Sequence, residues 1–263
     1  MARSFKISFI GAGNLASNLA PCLENAGHII NSISSLHLHS AKILADSLYN
    51  TRAIDDNDFS SEDTEIIFIT AKDDNLRDIV KDINAPKGAQ LVHCSGFAHI
   101  DVLDDFPGST GVFYPLQSFS KGRRTEFKNI PICVESFDEA LSDKLTILAR
   151  SISKNVSFVS SEKRKQLHLA AVFANNFVNH MLSIADDILI NSNLSLSLLQ
   201  PLVLETLNKA FEMGPYESQT GPAKRGDMET INEHLKLLQD QPETAEIYEL
   251  ISRQIMNGAK SKN

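Results

Sequence analysis

The chain has little cysteine, and its three cysteines, Cys22, Cys94 and Cys133, include no C-x-x-C pair. A sparse, odd set of cysteines argues against a disulfide framework and is typical of proteins kept in a reducing compartment. We therefore expect a cytoplasmic protein. The first ten residues lack the apolar length and the cleavage pattern of a signal peptide, which agrees with that expectation.

Long apolar runs are also missing, because no uninterrupted stretch has the length that crosses a bilayer. Positive charge is not in excess, since 25 Lys and Arg residues stand against 33 Asp and Glu residues and give a net charge of -8. An acidic chain is poorly suited to bind nucleic acid through its general surface. We therefore predict no nucleic-acid partner and no membrane partner.

Glycine and proline are scarce, at 12 and 9 of 263 residues, and 42% of the residues are apolar. This composition is typical of a packed globular protein, and the length suffices for two domains with separate cores. Short apolar runs alternate with helical periodicity in the first part of the chain. The predicted strands are residues 5–10, 29–34, 65–70, 90–93, 111–113, 130–134 and 156–159. The predicted helices among them are residues 15–26, 40–49, 75–83 and 138–152.

Strand signals stop near residue 160, and helices are predicted over residues 161–190, 195–213, 227–238 and 244–256. Alternating strands and helices indicate parallel βαβ units. The sequence therefore predicts an α/β fold, with an N-terminal Rossmann domain over residues 1–160 whose doubly wound sheet is mostly parallel. An all-α C-terminal domain for substrate binding and dimerisation is predicted over residues 161–263.

A glycine-rich turn of the form G-x-G-x-x-A follows the first predicted strand and opens the first predicted helix. Gly11 permits the tight turn, Gly13 lets a cofactor pyrophosphate approach the backbone, and Ala16 allows close packing of helix on strand. The phosphates would bind to free N–H groups at the positive end of the helix. A glycine turn that merely packs helix on strand is the alternative. The predicted cofactor contacts here are Gly11, Ala12, Gly13, Asn14 and Leu15.

The residue that contacts the adenosine ribose is expected about 20 residues further on, at the end of the second strand. NAD sites place a carboxylate there, but residues 33–37 of this chain read ISSLH. The side chains of Ser34, Ser35, His37 or Lys42 can donate hydrogen bonds to a 2′-phosphate, so we predict NADP(H) rather than NAD. A plain polar loop is the alternative.

The later strand ends supply further candidates, because ligands of open parallel sheets lie beyond the carboxyl ends of the strands. Ala71 and Asp74 are predicted beside the cofactor, and capping of the following helix is the alternative role for Asp74. Ser95 is predicted to line the active site, where Gly96 would let backbone approach a ligand. His93 and Cys94 are expected to pack inward. After the next strand, Gln117 is predicted to bind substrate, with a packed turn as the alternative.

Polar side chains recur on one side of the helix predicted over residues 161–190, at His168, Asn175, Asn176 and Asn179. Apolar residues surround them, so we expect a central, buried helix in which this row marks a pocket, a polar helix contact or a dimer seam. Histidine titrates near neutrality, which makes His168 the predicted acid/base, with Asn175 orienting substrate.

A loop over residues 219–227 carries Arg225, which is suited to bind a carboxylate or phosphate unless it is simply a surface residue. Asp227 is predicted to cap the helix that follows.

Five segments, in this order, resemble one known family: GAGNLA at 11–16, HCSG at 93–96, PLQ at 115–117, HLAAVFANN at 168–176 and TGPAKRGD at 220–227. The family is that of Rossmann-like NADP oxidoreductases with a C-terminal helical domain of unknown function, related to deazaflavin-dependent NADP oxidoreductases and pyrroline-5-carboxylate reductases. The resemblance implies an NADP-binding first domain and dimerisation through the helices. The family usually has His where this chain has Tyr114, whose hydroxyl can also donate a proton.

The sequence thus predicts an NADP-dependent oxidoreductase that transfers hydride between NADP(H) and an unidentified small molecule, acting as a homodimer through the helical domain. A non-catalytic NADP(H)-binding sensor or interaction module is the alternative, and another ligand on the same fold is a third possibility. No metal is predicted. The predicted catalytic residues are His168, Ser95, Asn175 and Tyr114, and the predicted substrate-binding residues are Gln117, Asn176 and Arg225.

Overall fold

The computed structural model describes residues 3–260 and forms two compact units, which divide between Val172 and Phe173. The first unit holds an eight-stranded sheet. Its strands are β1 (Lys6–Ile10), β2 (Ile29–Ser34), β3 (Arg52–Ile54), β4 (Ile66–Ile69), β5 (Gln90–His93), β6 (Thr110–Pro115), β7 (Ile132–Ser136) and β8 (Val156–Phe158). The predicted domain limits, 1–160 and 161–263, stay a prediction.

The strand order is β3-β2-β1-β4-β5-β6-β7-β8, and every neighbouring pair is parallel except β6 and β7. The order reverses between β1 and β4, which is the switch point where open α/β sheets bind ligands. The mostly parallel Rossmann sheet predicted from the sequence is therefore confirmed.

Helices cover both faces of the sheet, because alternate residues of each strand point to opposite sides. Phe68 and Val92 belong to one buried cluster, and their neighbours Ile69 and Leu91 belong to the other. The helices of this unit are α1 (Ala16–Asn25), α2 (Leu38–Ala45), α3 (Leu76–Asp82), α4 (Glu139–Ile152) and α5 (Ser161–Ala171). Helices α1 and α4 contribute residues to the first buried cluster, whereas α3 contributes residues to the second.

The described part of the second unit consists of helices and connecting loops, with no strand. It begins within a π-helical stretch, Val172–Phe177, and contains α6 (Val178–Ile190), α7 (Gln200–Met213), α8 (Pro222–Arg225), α9 (Met228–Leu237) and α10 (Pro242–Lys260). Few of its side chains are buried, and neither α6 nor α7 has a buried residue. The all-α second half is confirmed, but the expectation of a buried central helix over residues 161–190 is wrong, because only Ser161 and Arg164 of this segment are buried.

Local differences from the predicted elements have simple causes. The sequence does not predict the edge strand β3, because its three residues are too few to show alternation. The helix predicted over residues 40–49 begins two residues earlier, at Leu38, with His37 in extended conformation before it. The loop predicted over residues 219–227 contains the single helical turn α8, which begins with Pro222 and ends before the left-handed Gly226. Proline at a first helical position and glycine after the last are typical helix limits.

Candidate functional site

The turn after β1 joins three strand ends. Gly11 has a φ of +108°, and a Cβ there would lie 2.9 Å from the backbone carbon and the hydroxyl of Thr70, at the end of β4. The Gly11 N–H donates to the Ser34 carbonyl at 2.8 Å, and the Thr70 hydroxyl donates to the Gly11 carbonyl at 2.9 Å. Gly11 is thus required by the fold itself, and Thr70 supports the turn through a contact that the glycine motif alone does not reveal.

Gly13 is different, because the protein itself does not require glycine there. A Cβ at Gly13 would have one neighbour within 4 Å, the Thr70 carbonyl oxygen at 4.0 Å, and its φ is not in the left-handed region. The first turn of α1 contains no acidic residue, and no side chain caps its N-terminus. Open space above Gly13 and an uncapped helix N-terminus suit a diphosphate. Ala12 is buried, whereas Asn14 is exposed and Leu15 half-buried.

The predicted ribose residues lie in two different environments. Ser34 is buried and its hydroxyl donates to Asn57 Oδ1 at 2.8 Å, so this proton is already engaged. Ser35 is half-buried, and His37 and Lys42 are exposed. Asp55 and Asp56 follow β3, whose last residue pairs with Ser34, so two carboxylates lie one strand from this end.

Residues after β4 were predicted to lie beside the cofactor, and that role stays a prediction. Ala71 is half-buried, and Asp74 is exposed within a 3-10 turn over Asp73–Asn75. No side chain caps α3, so the capping role considered for Asp74 is wrong. Asp73 accepts a hydrogen bond at 2.7 Å from Ser95 on the neighbouring strand end.

The hydroxyl of Ser95 is fully engaged in local structure. Besides donating to Asp73, it accepts the N–H groups of Phe97 and Ala98 at 3.0 and 2.8 Å. Ser95 thus shapes the loop after β5. Its predicted place in the active site stays a prediction, but a proton-transfer role would require these bonds to break.

Tyr114 and His168 form a pair directly above Gly96. Tyr114 Oη lies 3.2 Å from His168 Nδ1, and the two rings meet edge to face. A Cβ on Gly96 would lie 2.6 Å from His168 Nδ1 and 2.7 Å from Tyr114 Cζ. The absent side chain therefore makes room for this pair rather than for a ligand. Burial raises the pKa of Tyr114, so the hydroxyl keeps its proton at neutral pH.

A buried ion pair sets the position of α5. Arg164 is fully buried, its Nη1 donates to Glu135 on β7, and its Nη2 donates to the Ala98 carbonyl at 2.6 Å. Ser161 donates to the same carboxylate at 2.8 Å. Because Arg164 and His168 are four residues apart on one helical face, this anchor aims His168 at Tyr114. The pair is not evident from the sequence, since a charged residue in a helix is usually exposed.

His93, the last residue of β5, is fully buried, as expected for an inward-packing strand residue. Its Nδ1 accepts the Ser95 N–H at 3.1 Å, so the ring proton lies on Nε2, which has no partner among the described residues. Burial, together with the nearby Arg164 charge, lowers the pKa of His93 to about 3. Cys94 is buried too, and its burial raises the thiol pKa strongly.

Gln117 is exposed just after β6, and its Oε1 accepts the Ser118 N–H at 2.8 Å. In the second unit, Asn175 and Asn176 are exposed within the π-helical stretch, a local form that is frequent at functional sites. Arg225 is exposed at the end of α8. Asp227 accepts the Thr230 N–H at 3.1 Å and caps α9, as predicted.

Over residues 3–260, no helix combines the length and apolarity needed to cross a bilayer. The same residues contain no group of three His, Cys, Asp or Glu side chains that could hold a metal ion.

A glycine turn at the switch point of a mostly parallel, doubly wound sheet defines a Rossmann-type protein. Comparisons of sequence agree. Residues 6–95 match the family model described as NADP oxidoreductase coenzyme F420-dependent, and residues 130–255 match a domain of unknown function, DUF2520. No curated protein sequence matches the chain.

Several solved structures resemble almost the full length of the chain. A Bacteroides fragilis protein described as a "putative NADP oxidoreductase" is 36% identical, with a TM-score of 0.88 over 97% of this chain and 98% of that one. A Thermotoga maritima protein, TM1727, is 26% identical, with a TM-score of 0.70 over 97% and 99%. Pyrroline-5-carboxylate reductase of Streptococcus pyogenes, at 15% identity and a TM-score of 0.63 over 98% and 99%, shares the fold.

The chain belongs to the NADP oxidoreductase family that joins a Rossmann domain to a C-terminal domain of unknown function. The family resemblance inferred from the five sequence segments is thereby confirmed.

Proposed function

We propose that the protein is an NADP(H)-dependent oxidoreductase that transfers hydride between the cofactor and a small polar molecule. The observation that carries this proposal is the Tyr114–His168 pair. Tyr114 is near the carboxyl end of β6, at the same edge of the parallel strands as the Gly11–Gly13 turn after β1. The cofactor would supply the hydride, and the protein must supply position and a proton. Gly11, Ala12, Gly13, Asn14 and Leu15 would hold the diphosphate, with Ala71 and Asp74 beside the cofactor.

The proton would move through Tyr114 and His168. The Tyr114 hydroxyl stays protonated at neutral pH because burial raises its pKa, and His168 Nδ1 lies within hydrogen-bond distance to share its proton. This pair can protonate a substrate oxygen or nitrogen during reduction and accept the proton in the reverse direction. Ser95 would hold the loop beside them. Asn175, Asn176, Arg225 and Gln117 remain the proposed substrate contacts.

Preference for NADP over NAD is part of the proposal. Ser35, His37 and Lys42 are available to a 2′-phosphate, and the family that residues 6–95 match is one of NADP oxidoreductases. The solved reductive aminase of Aspergillus terreus, a structural relative at 8% identity, is a complex with NADPH. We further propose a homodimer formed through the helical unit, because α6 and α7 bury none of their residues in the single chain. A cytoplasmic location stays a prediction.

Cofactor binding is tested by fluorescence titration with NADPH and NADH, using Gly13→Val. Because a Cβ at Gly13 meets open space, the variant should keep its thermal stability but bind NADPH about 100-fold more weakly. Gly27→Ala is the matched control, because Gly27 has a φ of +93° with nothing near its Cβ position. It should lose about 1 kcal/mol of stability and bind NADPH normally. Equal NADPH binding by Gly13→Val and the native protein would refute the cofactor assignment.

Catalysis is tested by screening NADPH oxidation against imines, ketones and deazaflavins. His168→Ala and Tyr114→Phe should each lower kcat at least about 100-fold, the usual contribution of acid/base groups. His39→Ala removes an exposed histidine and should leave kcat unchanged. Tight NADPH binding with no oxidation by any acceptor would instead support the sensor alternative, and unchanged turnover in His168→Ala would remove the acid/base assignment.

A further inference from the structure

A cavity of about 610 Å³ lies in the first unit along one face of α1. Ser17, Pro21, Cys22 and Asn25 form that wall at helical spacing, and residues 122–128 form the facing wall. This volume is within the range of small-molecule sites. None of the residues assigned above to cofactor or catalysis lines it.

The facing wall is a loop held in place at both ends. Asn18 on α1 is buried, its Nδ2 donates to the Ser120 carbonyl at 3.3 Å, and its Oδ1 accepts the Thr125 N–H at 3.2 Å. The rings of Phe119 and Phe127 stack with centroids 5.4 Å apart, and Phe127 is buried. These contacts hold the loop tip at the cavity.

The loop is basic in an acidic protein. Residues 121–128 read KGRRTEFK, so four cations stand against one carboxylate, whereas the whole chain has a net charge of -8. Arg123, Arg124 and Lys128 all line the cavity. The salt bridges of the described residues all involve other side chains. These three cations therefore concentrate positive potential on one wall of the cavity.

We propose that this cavity binds a phosphorylated small molecule at a site separate from the Gly11–Gly13 turn. Two adjacent guanidinium groups and an ammonium group can together bind phosphate oxygens, and arginine does so with two parallel hydrogen bonds. The α1 wall contributes Ser17 and Asn25 as neutral polar partners for the rest of the ligand.

The site is also connected to the cofactor turn. Asn18 Nδ2 donates to the Asn14 carbonyl at 2.9 Å as well as to the loop, so one amide holds both segments. This coupling rests on the proposed function. A ligand that orders the basic loop would, through Asn18, also order the Gly11–Gly13 turn. The ligand and NADPH should therefore each raise the other's affinity by the same factor, about fivefold or more.

Inorganic pyrophosphate is the probe, titrated by calorimetry into protein saturated with NADPH so that the turn is occupied. We expect one site, whose affinity falls at least about tenfold in Arg123→Glu/Arg124→Glu. Arg77→Glu/Lys87→Glu makes the same change in net charge at exposed positions elsewhere in this unit and should leave pyrophosphate affinity unchanged. Titration of Gly13→Val without NADPH tests the cavity even if the cofactor assignment fails.

Cys22 gives a second readout, because it lines the cavity while Cys94 and Cys133 are buried. Burial raises the Cys22 pKa to about 11, so N-ethylmaleimide should react slowly, at a rate followed by peptide mass spectrometry. Pyrophosphate at ten times its Kd should slow this reaction about tenfold.

Three results would overturn the proposal. The first is that pyrophosphate binds neither to the NADPH-saturated native protein nor to Gly13→Val. The second is that Arg77→Glu/Lys87→Glu loses as much pyrophosphate affinity as Arg123→Glu/Arg124→Glu. The third is that Arg123→Glu/Arg124→Glu binds NADPH more weakly although the native protein has no pyrophosphate site. The last would assign the loop to the cofactor.

Discussion

Residues of the same type have different roles in this protein, because their burial and their contacts differ. His93 and His168 are both histidines within the first unit, but His93 is buried with a pKa lowered to about 3 whereas His168 is half-buried beside a tyrosine hydroxyl. Gly11 and Gly13 also differ, since the first fits against Thr70 and the second faces open space. Burial and contacts therefore assign the roles.

Acid should destabilise the protein through His93. The folded pKa is about 3 and the unfolded value about 6.5, so the unfolded chain binds a proton first as the pH falls. Stability is thus full above pH 6.5 and is lost towards pH 3, by about 2 kcal/mol between pH 7 and pH 5. Urea unfolding at both pH values measures this loss. His93→Gln keeps an acceptor for the Ser95 N–H and should show a loss smaller by that amount, with His28 accounting for part of the remainder.

Gly96→Ala should damage catalysis more than stability. The new methyl group would lie under 3 Å from both His168 and Tyr114, which must then move apart. A displacement near 1 Å costs about 100-fold in rate, whereas local overpacking costs about 1–3 kcal/mol. Steady-state kinetics with the acceptor found in the NADPH-oxidation screen measures the first. If Gly96→Ala/His168→Ala is far slower than His168→Ala alone, the glycine acts by some route other than this pair.

The elements follow local sequence signals except where a long-range contact intervenes. Apart from β3, the strands after the glycine turn lie within a few residues of their predicted limits, and so do the helices α1 and α4, because periodicity and turn residues act locally. In contrast, the position of α5 on the sheet depends on Arg164 meeting Glu135, 29 residues away. Periodicity does not show such a pair, since it treats a charged residue as exposed.

Breaking this ion pair should be costly. Arg164→Met leaves the buried Glu135 carboxylate without its partner and should lower the free energy of unfolding by about 3–5 kcal/mol. Arg164→Met/Glu135→Leu removes both charges and should recover most of that loss in urea unfolding. Lys236→Met, at an exposed pair with Glu233, should change little. Additive costs of the two single substitutions would show that the two side chains do not act as a pair.

At the scale of the whole molecule, the helical unit exposes much apolar surface. Leu204, Leu207 and Phe211 lie on one face of α7 and are 51%, 39% and 90% exposed in the single chain. Apolar faces of this kind mark protein–protein interfaces. This distribution supports the proposed homodimer, in which a second copy of the chain covers α7.

Charge on that face should prevent dimerisation. Leu207→Glu/Phe211→Glu places two carboxylates at the proposed interface and should shift the sedimentation coefficient from dimer to monomer. Lys209→Glu lies on the opposite side of α7, next to Glu205, and should remain dimeric. A native protein that sediments as a monomer at micromolar concentration would remove the homodimer from the proposal.

The amino-acid sequence by itself determined the Rossmann sheet, the glycine turn and the helical second half, because these depend on residues close together in the chain. Only the tertiary structure brought Tyr114 to His168, 54 positions apart, and paired Arg164 with Glu135. The tertiary structure also showed that the fold requires glycine at position 11, where Thr70 is close, but not at position 13, where a side chain would meet open space. Such contacts depend on how distant segments pack, and the burial of a polar side chain follows from its partners rather than from its neighbours in the chain.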